Sequence, residues 1–249
     1  MTAASRKSAA RKLPLKLGLF HVTGAILEGQ RRTDLLDVTS GPGGDLGVVI
    51  LDLRAVGSAE TEVDKLARSL AGLAAQGFRE RTPLHAIMLD LARGLLGAPT
   101  SELGVTLIRG SAADARVEVA TAGMPPVACV HPDRRVTLHA VAAPPLTSLS
   151  GGPPPIEVVP LTWGCTWLAI SDGFSPSADQ AAVVQLLAQE LELADEGAAL
   201  SQLPPHALRG LLEARALAHN RLSRDDASLL LISANLSARS RSGIQRSRS

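Results

Sequence analysis

Three apolar runs of this chain carry aspartate at one tip. Leu46-Gly47-Val48-Val49-Ile50-Leu51 runs into Asp52, and Thr166-Trp167-Leu168-Ala169-Ile170-Ser171 runs into Asp172-Gly173. The third reverses the order: Asp225-Asp226 leads into Ala227-Ser228-Leu229-Leu230-Leu231-Ile232. A buried strand gains nothing from a carboxylate at its end, and an ionised aspartate is costly to bury unless it is paired or holds a cation. Strands tipped in this way are expected to bring their acids to one shared, cation-binding site.

With 249 residues, 45% hydrophobic and 20% charged, the chain has enough apolar surface for a large core in one globular domain. A net charge of +1 gives no electrostatic footprint for nucleic acid or an acidic membrane. The five aromatic side chains, Phe20, Phe78, Phe174, Trp163 and Trp167, are too few for base-stacking platforms. No apolar run approaches the roughly 20 residues of a membrane helix. Cys129 and Cys165 are the only cysteines. Both sit in apolar, strand-like surroundings without the spacing of a zinc motif, so they read as buried thiols of a cytoplasmic protein. The basic segment 1–13 and the Arg/Ser-rich segment 237–249 are expected to be disordered, leaving 14–236 as the domain.

The pattern along that domain is strands, two helices, strands, two helices and a final strand. Residues 15–22 and 34–38 read as strands, and Ser40-Gly41-Pro42-Gly43-Gly44-Asp45 is dense turn chemistry joining 34–38 to 46–53 as a hairpin. Asp37 and Asp45 read as structural residues of that hairpin. In 59–76, Val63, Leu66, Leu70 and Leu73 form one helical stripe. In 83–96 the stripe is Leu84, Ile87, Leu91 and Leu95, with Thr82 as N-cap and Pro83 at the first helical position. Short strands are predicted at 104–109, 116–122, 126–131, 136–141, 156–161 and 166–172, helices at 178–194 and 205–218, and a strand at 227–234. This order is not alternating βαβ. It predicts an α+β fold of packed antiparallel sheets flanked by helices.

Carboxylate oxygens suit Mg²⁺ or Mn²⁺, whereas Zn²⁺ prefers histidine and cysteine. Two such cations can activate water against phosphorus. In this context five short segments are similar to the metal-dependent (PPM, or 2C-type) Ser/Thr protein phosphatases, and most to the bacterial stage II sporulation protein E-like branch. They are Thr33-Asp34-Leu35-Leu36-Asp37-Val38, Leu46 to Gly57, Thr121-Ala122-Gly123-Met124-Pro125-Pro126, Ser171-Asp172-Gly173 and Asp225-Asp226-Ala227-Ser228. The resemblance spans roughly residues 15–235. It implies a β-sandwich flanked by helices and a binuclear Mn²⁺ or Mg²⁺ site. The implied ligands are Asp34, Asp52, the backbone carbonyl of Leu53, Asp172 and one of Asp225 and Asp226, with Asp225 favoured. It also implies hydrolysis of a phosphoprotein, of the kind represented by STAS-type anti-sigma-factor antagonists in bacterial stress signalling.

The chain departs from the family pattern at three places. Thr33 replaces the glycine before the first aspartate, Ala55-Val56-Gly57 replaces Gly-His-Gly, and Met124 replaces the histidine of Ala-Gly-His-Pro-Pro. These changes keep open a second reading, a catalytically weak module that binds a partner without turnover. Histidines 21, 85, 131, 139, 206 and 219 are scattered without ligand spacing and read as structural. No Gly-x-Ser-x-Gly elbow and no Lys-containing phosphate loop is present, which sets aside serine-hydrolase and nucleotide-site chemistry.

Overall fold

The computed structural model describes residues 15–17, 19–27, 34–55, 60–98, 101–133, 135–140, 143–147, 152–174 and 227–234. The segments 178–194 and 205–218, Asp225, Asp226 and both terminal segments lie outside the described residues. Eleven strands are described: β1 Leu15–Leu17, β2 Phe20–Leu27, β3 Asp34–Ser40, β4 Leu46–Ala55, β5 Ser101–Ser111, β6 Arg116–Ala122, β7 Val127–Val130, β8 Val136–His139, β9 Glu157–Pro160, β10 Thr166–Ile170 and β11 Ala227–Ala234. Two helices, α1 Glu60–Arg79 and α2 Leu84–Gly94, join β4 to β5. The strands form two sheets, ordered β1-β2-β11-β10-β7-β8 and β3-β4-β5-β6-β9. Every named pairing within them is antiparallel.

The period-2 alternation of β4 separates two cores. Leu46, Val48 and Ile50 face the first sheet and join Phe20, Val119, Cys129, Trp167, Leu230 and Ile232 in the layer between the sheets. Val49, Leu51 and Leu53 face the other way, against Leu70, Phe78, Ile87, Met88 and Leu91 of the helices. The predicted α+β sandwich flanked by helices is therefore the observed architecture.

Helix α1 turns most of the predicted stripe inward: Leu70 is in the core, and Val63 and Leu66 pack against it partly buried. Its buried residues are Ala67, Leu70, Ala71, Ala74, Ala75, Gly77 and Phe78, and Leu73 is 41% exposed. Small side chains let the helix backbone approach the sheet, and a count of leucines alone cannot register that. The four stripe residues predicted for 83–96 are all buried, Leu84, Ile87 and Leu91 on α2 and Leu95 in the 3-10 turn Leu95–Gly97 that follows it. The N-cap of α2 is Pro83, with extended ψ of 142° and no side-chain cap bond, so Thr82 does not serve as the cap. Instead the guanidinium of Arg109 donates to the Thr82 carbonyl.

Asp45 and Asp37 are structural, as expected. Asp45 is buried and ion-paired to Arg81 at 3.2 Å, which ties the β3–β4 turn to the end of α1. Asp37 Oδ1 accepts the Val38 N–H at 2.9 Å. The helix layer packs closely on β4 at Gly47. A Cβ there would stand 2.6 Å from Cδ2 and 2.8 Å from Cβ of Phe78. Gly47→Ala is expected to cost about 1–3 kcal/mol through overpacking, read by thermal unfolding as a fall in Tm of about 2–4 °C per kcal/mol.

Candidate metal centre

The inward-facing row of β4 changes character at its C-terminal end. Leu46, Val48 and Ile50 are apolar and buried, and the next residues on that face are Asp52 and Arg54. Asp52 remains 2% exposed. In the β3–β4 ladder Asp34 stands directly opposite Asp52. Like charges directly opposite on neighbouring strands destabilise a sheet, so this pair needs positive charge close by. The second sheet brings its own polar end to the same place. Ser171 and Asp172 follow β10, where Asp172 opens the short 3-10 turn Asp172–Phe174. Ser228 lies near the start of β11.

Side-chain contacts close the gap between the sheets. The Ser228 hydroxyl donates to Asp34 Oδ2 at 2.7 Å. Ser228 is itself fixed by Ser171, whose Oγ accepts the Ser228 N–H at 2.8 Å and whose N–H donates to the Ser228 carbonyl at 2.9 Å. Arg54 Nε donates to Asp52 Oδ2 at 3.1 Å, and its Nη2 reaches Asp172 Oδ2. The Oδ1 atoms of Asp34, Asp52 and Asp172 are all buried. Three of the predicted acids, from strand ends distant in sequence, thus meet at one end of the sandwich. Asp225 and Asp226 precede β11 in sequence but lie outside the described residues.

Two contributors carried no predicted role. Ser228 sat inside a quoted motif, yet its register on β11 is what turns its hydroxyl inward. Arg54 follows Asp52 by two residues, and period-2 alternation alone would have put both on one face. Leu53, between them, points into the helix-side core and is fully buried.

The floor of the centre is apolar. Gly104 pairs with Asp52 across β4–β5, and a Cβ at Gly104 would lie 3.0 Å from Met124 Sδ and 3.4 Å from Asp52 Cβ. The missing side chain makes room for Met124, which is 3% exposed. Gly123 aims it: its φ of 63° suits a residue without a Cβ, and a Cβ there would sit 2.9 Å from the Pro145 Cα.

A carboxylate-only set of side-chain donors, with two acids in direct opposition and all three partly or wholly buried, fits Mg²⁺ or Mn²⁺ rather than a thiophilic ion. Among the described residues, Arg54 supplies the positive charge seen between Asp52 and Asp172.

The sequence model of the stage II sporulation protein E family matches residues 42–235. No curated protein matches the chain. Among solved structures, the PP2C phosphatase domain with a regulatory fragment of SpoIIE from Bacillus subtilis is 14% identical with a TM-score of 0.62, over 87% of this chain and 64% of that one. The RsbU and RsbW domains of Rv1364c from Mycobacterium tuberculosis are 20% identical with a TM-score of 0.64, over 86% of this chain and 61% of that one. RsbX in complex with magnesium is 8% identical with a TM-score of 0.61, over 87% and 96%. The chain thus spans less than two thirds of the first two structures. At these identities the likeness is one of fold. Among the described residues no helix is long and apolar enough to cross a membrane.

Proposed function

The chain belongs to the stage II sporulation protein E family, a branch of the PPM-type phosphatases, and from that membership we propose that it is a metal-dependent phosphoprotein phosphatase acting on phosphoserine or phosphothreonine. The observation that carries this reading is the opposition of Asp34 and Asp52 across one ladder, with Asp172 joined to them through Arg54. Asp34, Asp52 and Asp172 would hold the cations, completed by the Leu53 carbonyl and by Asp225, with Asp226 the other candidate. Bound there, Mg²⁺ or Mn²⁺ would supply charge against the phosphoryl oxygens and acidity to a water.

The remaining work falls to the chain itself. In the reaction the water oxygen bonds to phosphorus, the bond from phosphorus to the serine oxygen breaks, and that oxygen takes up a proton. Ser228 holds Asp34 in one orientation, the supporting role of a group behind a ligand. Met124 closes the floor against water and carries no ionisable proton, so no imidazole acts at that position. Arg54 is half exposed and must leave its bridge for the acids to receive cations.

A phosphorylated STAS-type antagonist in a stress-signalling circuit is the partner class we favour. Support comes from the similar structures, which include the RsbU and RsbW domains of one chain and a protein of the bacterial stressosome. The test is hydrolysis of p-nitrophenyl phosphate and of a phosphoserine protein with Mn²⁺, with Mg²⁺ and with a chelator. Turnover is expected with either cation and none with chelator; metal-independent turnover would refute the reading.

A second reading rests on one contact. If Arg54 holds Asp52 and Asp172 permanently, the protein is a phosphatase-fold module that binds its partner without turnover. Wild-type protein that binds no Mn²⁺ by calorimetry and hydrolyses neither substrate would select this reading.

A further inference from the structure

At the other end of β10 a second group of side chains converges, and it owes nothing to the acidic centre. Cys129 lies on β7, His131 just beyond it and Cys165 just before β10. One ligand atom from each lies within 4.8 Å of the other two. Strand pairing explains the meeting. Thr166 pairs with Val130 and Trp167 with Cys129, and one further step sets Cys165 opposite His131 and diagonal to Cys129. Residues two apart share a face, and diagonal neighbours are within reach of each other. Both thiols are buried on the inner face of the sheet, while His131 keeps partial exposure that gives a cation a route in.

The imidazole is already aimed. Glu157 on β9 of the facing sheet accepts from His139 Nδ1 at 2.7 Å and from the Ala140 N–H at 2.7 Å. Partial burial pushes the Glu157 carboxyl up, but these hydrogen bonds outweigh it and hold the group below its ordinary value, so it acts as an acceptor. The chain continues through Thr137, whose hydroxyl lies 3.1 Å from His139 Nε2. The same oxygen lies 2.9 Å from His131 Nε2. These contacts hold the ring with Nδ1 facing Cys165 Sγ, 3.4 Å away. A tetrahedral Zn²⁺ with Zn–S near 2.3 Å and Zn–N near 2.0 Å places S and N about 3.5 Å apart. A carboxylate–histidine chain behind a ligating imidazole is the usual way its ring and tautomer are fixed.

We propose that Cys129, His131 and Cys165 bind one thiophilic d¹⁰ cation, Zn²⁺ or Cu⁺. Burial raises both thiols above their ordinary value. Zn²⁺ takes its fourth position from water; Cu⁺ is satisfied by the three protein ligands. The site is separated from the acidic centre by the five residues of β10, roughly 17 Å at about 3.3 Å per residue. Ligand chemistry separates them too: two thiols and an imidazole select soft ions, and carboxylates select Mg²⁺ or Mn²⁺. The cation would clasp β7 to β10 and stiffen that end of the sandwich.

The experiment uses the full chain, reduced and stripped of metal, titrated with Co²⁺ as an optical probe. One equivalent is expected to give a thiolate-to-Co²⁺ charge-transfer band, displaced by Zn²⁺ and retained in excess Mn²⁺. Cys165→Ser and His131→Gln should abolish the tight site. Thr137→Val, which keeps all three ligands but frees the ring, should weaken Zn²⁺ by about 10–100-fold in chelator competition. A parallel anaerobic competition for Cu⁺ identifies the preferred ion. Should a cysteine variant fail to fold, the wild-type spectrum still decides, because Cys129 and Cys165 are the only thiols in the chain. Absence of the band together with no Zn²⁺ or Cu⁺ retained on desalting overturns the proposal. So does a Cys129–Cys165 disulfide in protein isolated without reductant whose reduced form ignores Zn²⁺.

Discussion

Asp52→Asn is expected to lower Mn²⁺-dependent hydrolysis of a phosphoserine substrate by about 10²–10³-fold, the loss typical of removing one preorganised electrostatic element from an active site. The substitution is nearly isosteric, so packing against Gly104 and Met124 survives and the asparagine carbonyl can still accept from Arg54. What disappears is one negative charge at a position 2% exposed, directly opposite Asp34. With that charge gone the like-charge conflict across the ladder is relieved. The apo variant should therefore be as stable as wild type or slightly more so, while Mn²⁺ affinity measured by calorimetry falls. This combination separates a functional acid from a structural one: removing a structural partner of Arg54 would cost stability and leave cation affinity alone. A variant whose turnover stays within tenfold of wild type, with unchanged Mn²⁺ affinity, would remove Asp52 from the centre.

The sandwich was legible because β-strand alternation is written directly into the chain. β4 reads Leu46, Val48, Ile50 on one face and Val49, Leu51, Leu53 on the other, and those are the two cores. The convergence of Asp52 and Asp172 was legible for a related reason: an aspartate ending an apolar strand has few structural uses, so these strand tips point to a common place, whereas Asp34 entered only through the family resemblance. Residues whose position depends on pairing register were harder to see. Ser228 reaches Asp34 across 194 positions, and nothing in its local context announces that. Cys129, His131 and Cys165 fit no linear ligand spacing, because β7 and β10 are brought side by side by the ladder and not by the sequence. The predicted burial of Leu73 failed on packing: with alanines at 67, 71, 74 and 75 on the sheet-facing side, α1 lies close to the sheet there and leaves the leucine outside.

Arg54→Ser is expected to tighten Mn²⁺ binding by about tenfold. The guanidinium sits between Asp52 and Asp172, where it pairs with one oxygen of each acid and opposes any other cation. Two unit charges about 4 Å apart interact by roughly 4 kcal/mol at an effective dielectric of about 20. Arg54 is half exposed, so solvent screening reduces the usable part, and about 1.4 kcal/mol corresponds to one decade in affinity. The same change should lower the Tm of metal-free protein, since Asp52 and Asp172 lose a shared partner, and should enlarge the rise in Tm on adding Mn²⁺. Calorimetry and thermal unfolding read these opposite signs without any turnover. An unchanged affinity would mean that Arg54 only borders the centre. The size of the effect also separates the two functional readings. A tethered cation competes at fixed effective concentration, whereas free Mn²⁺ competes in proportion to its supply. In an active phosphatase, wild type reaches full occupancy at higher Mn²⁺ than the serine variant; in a permanently bridged module, only the variant binds at all.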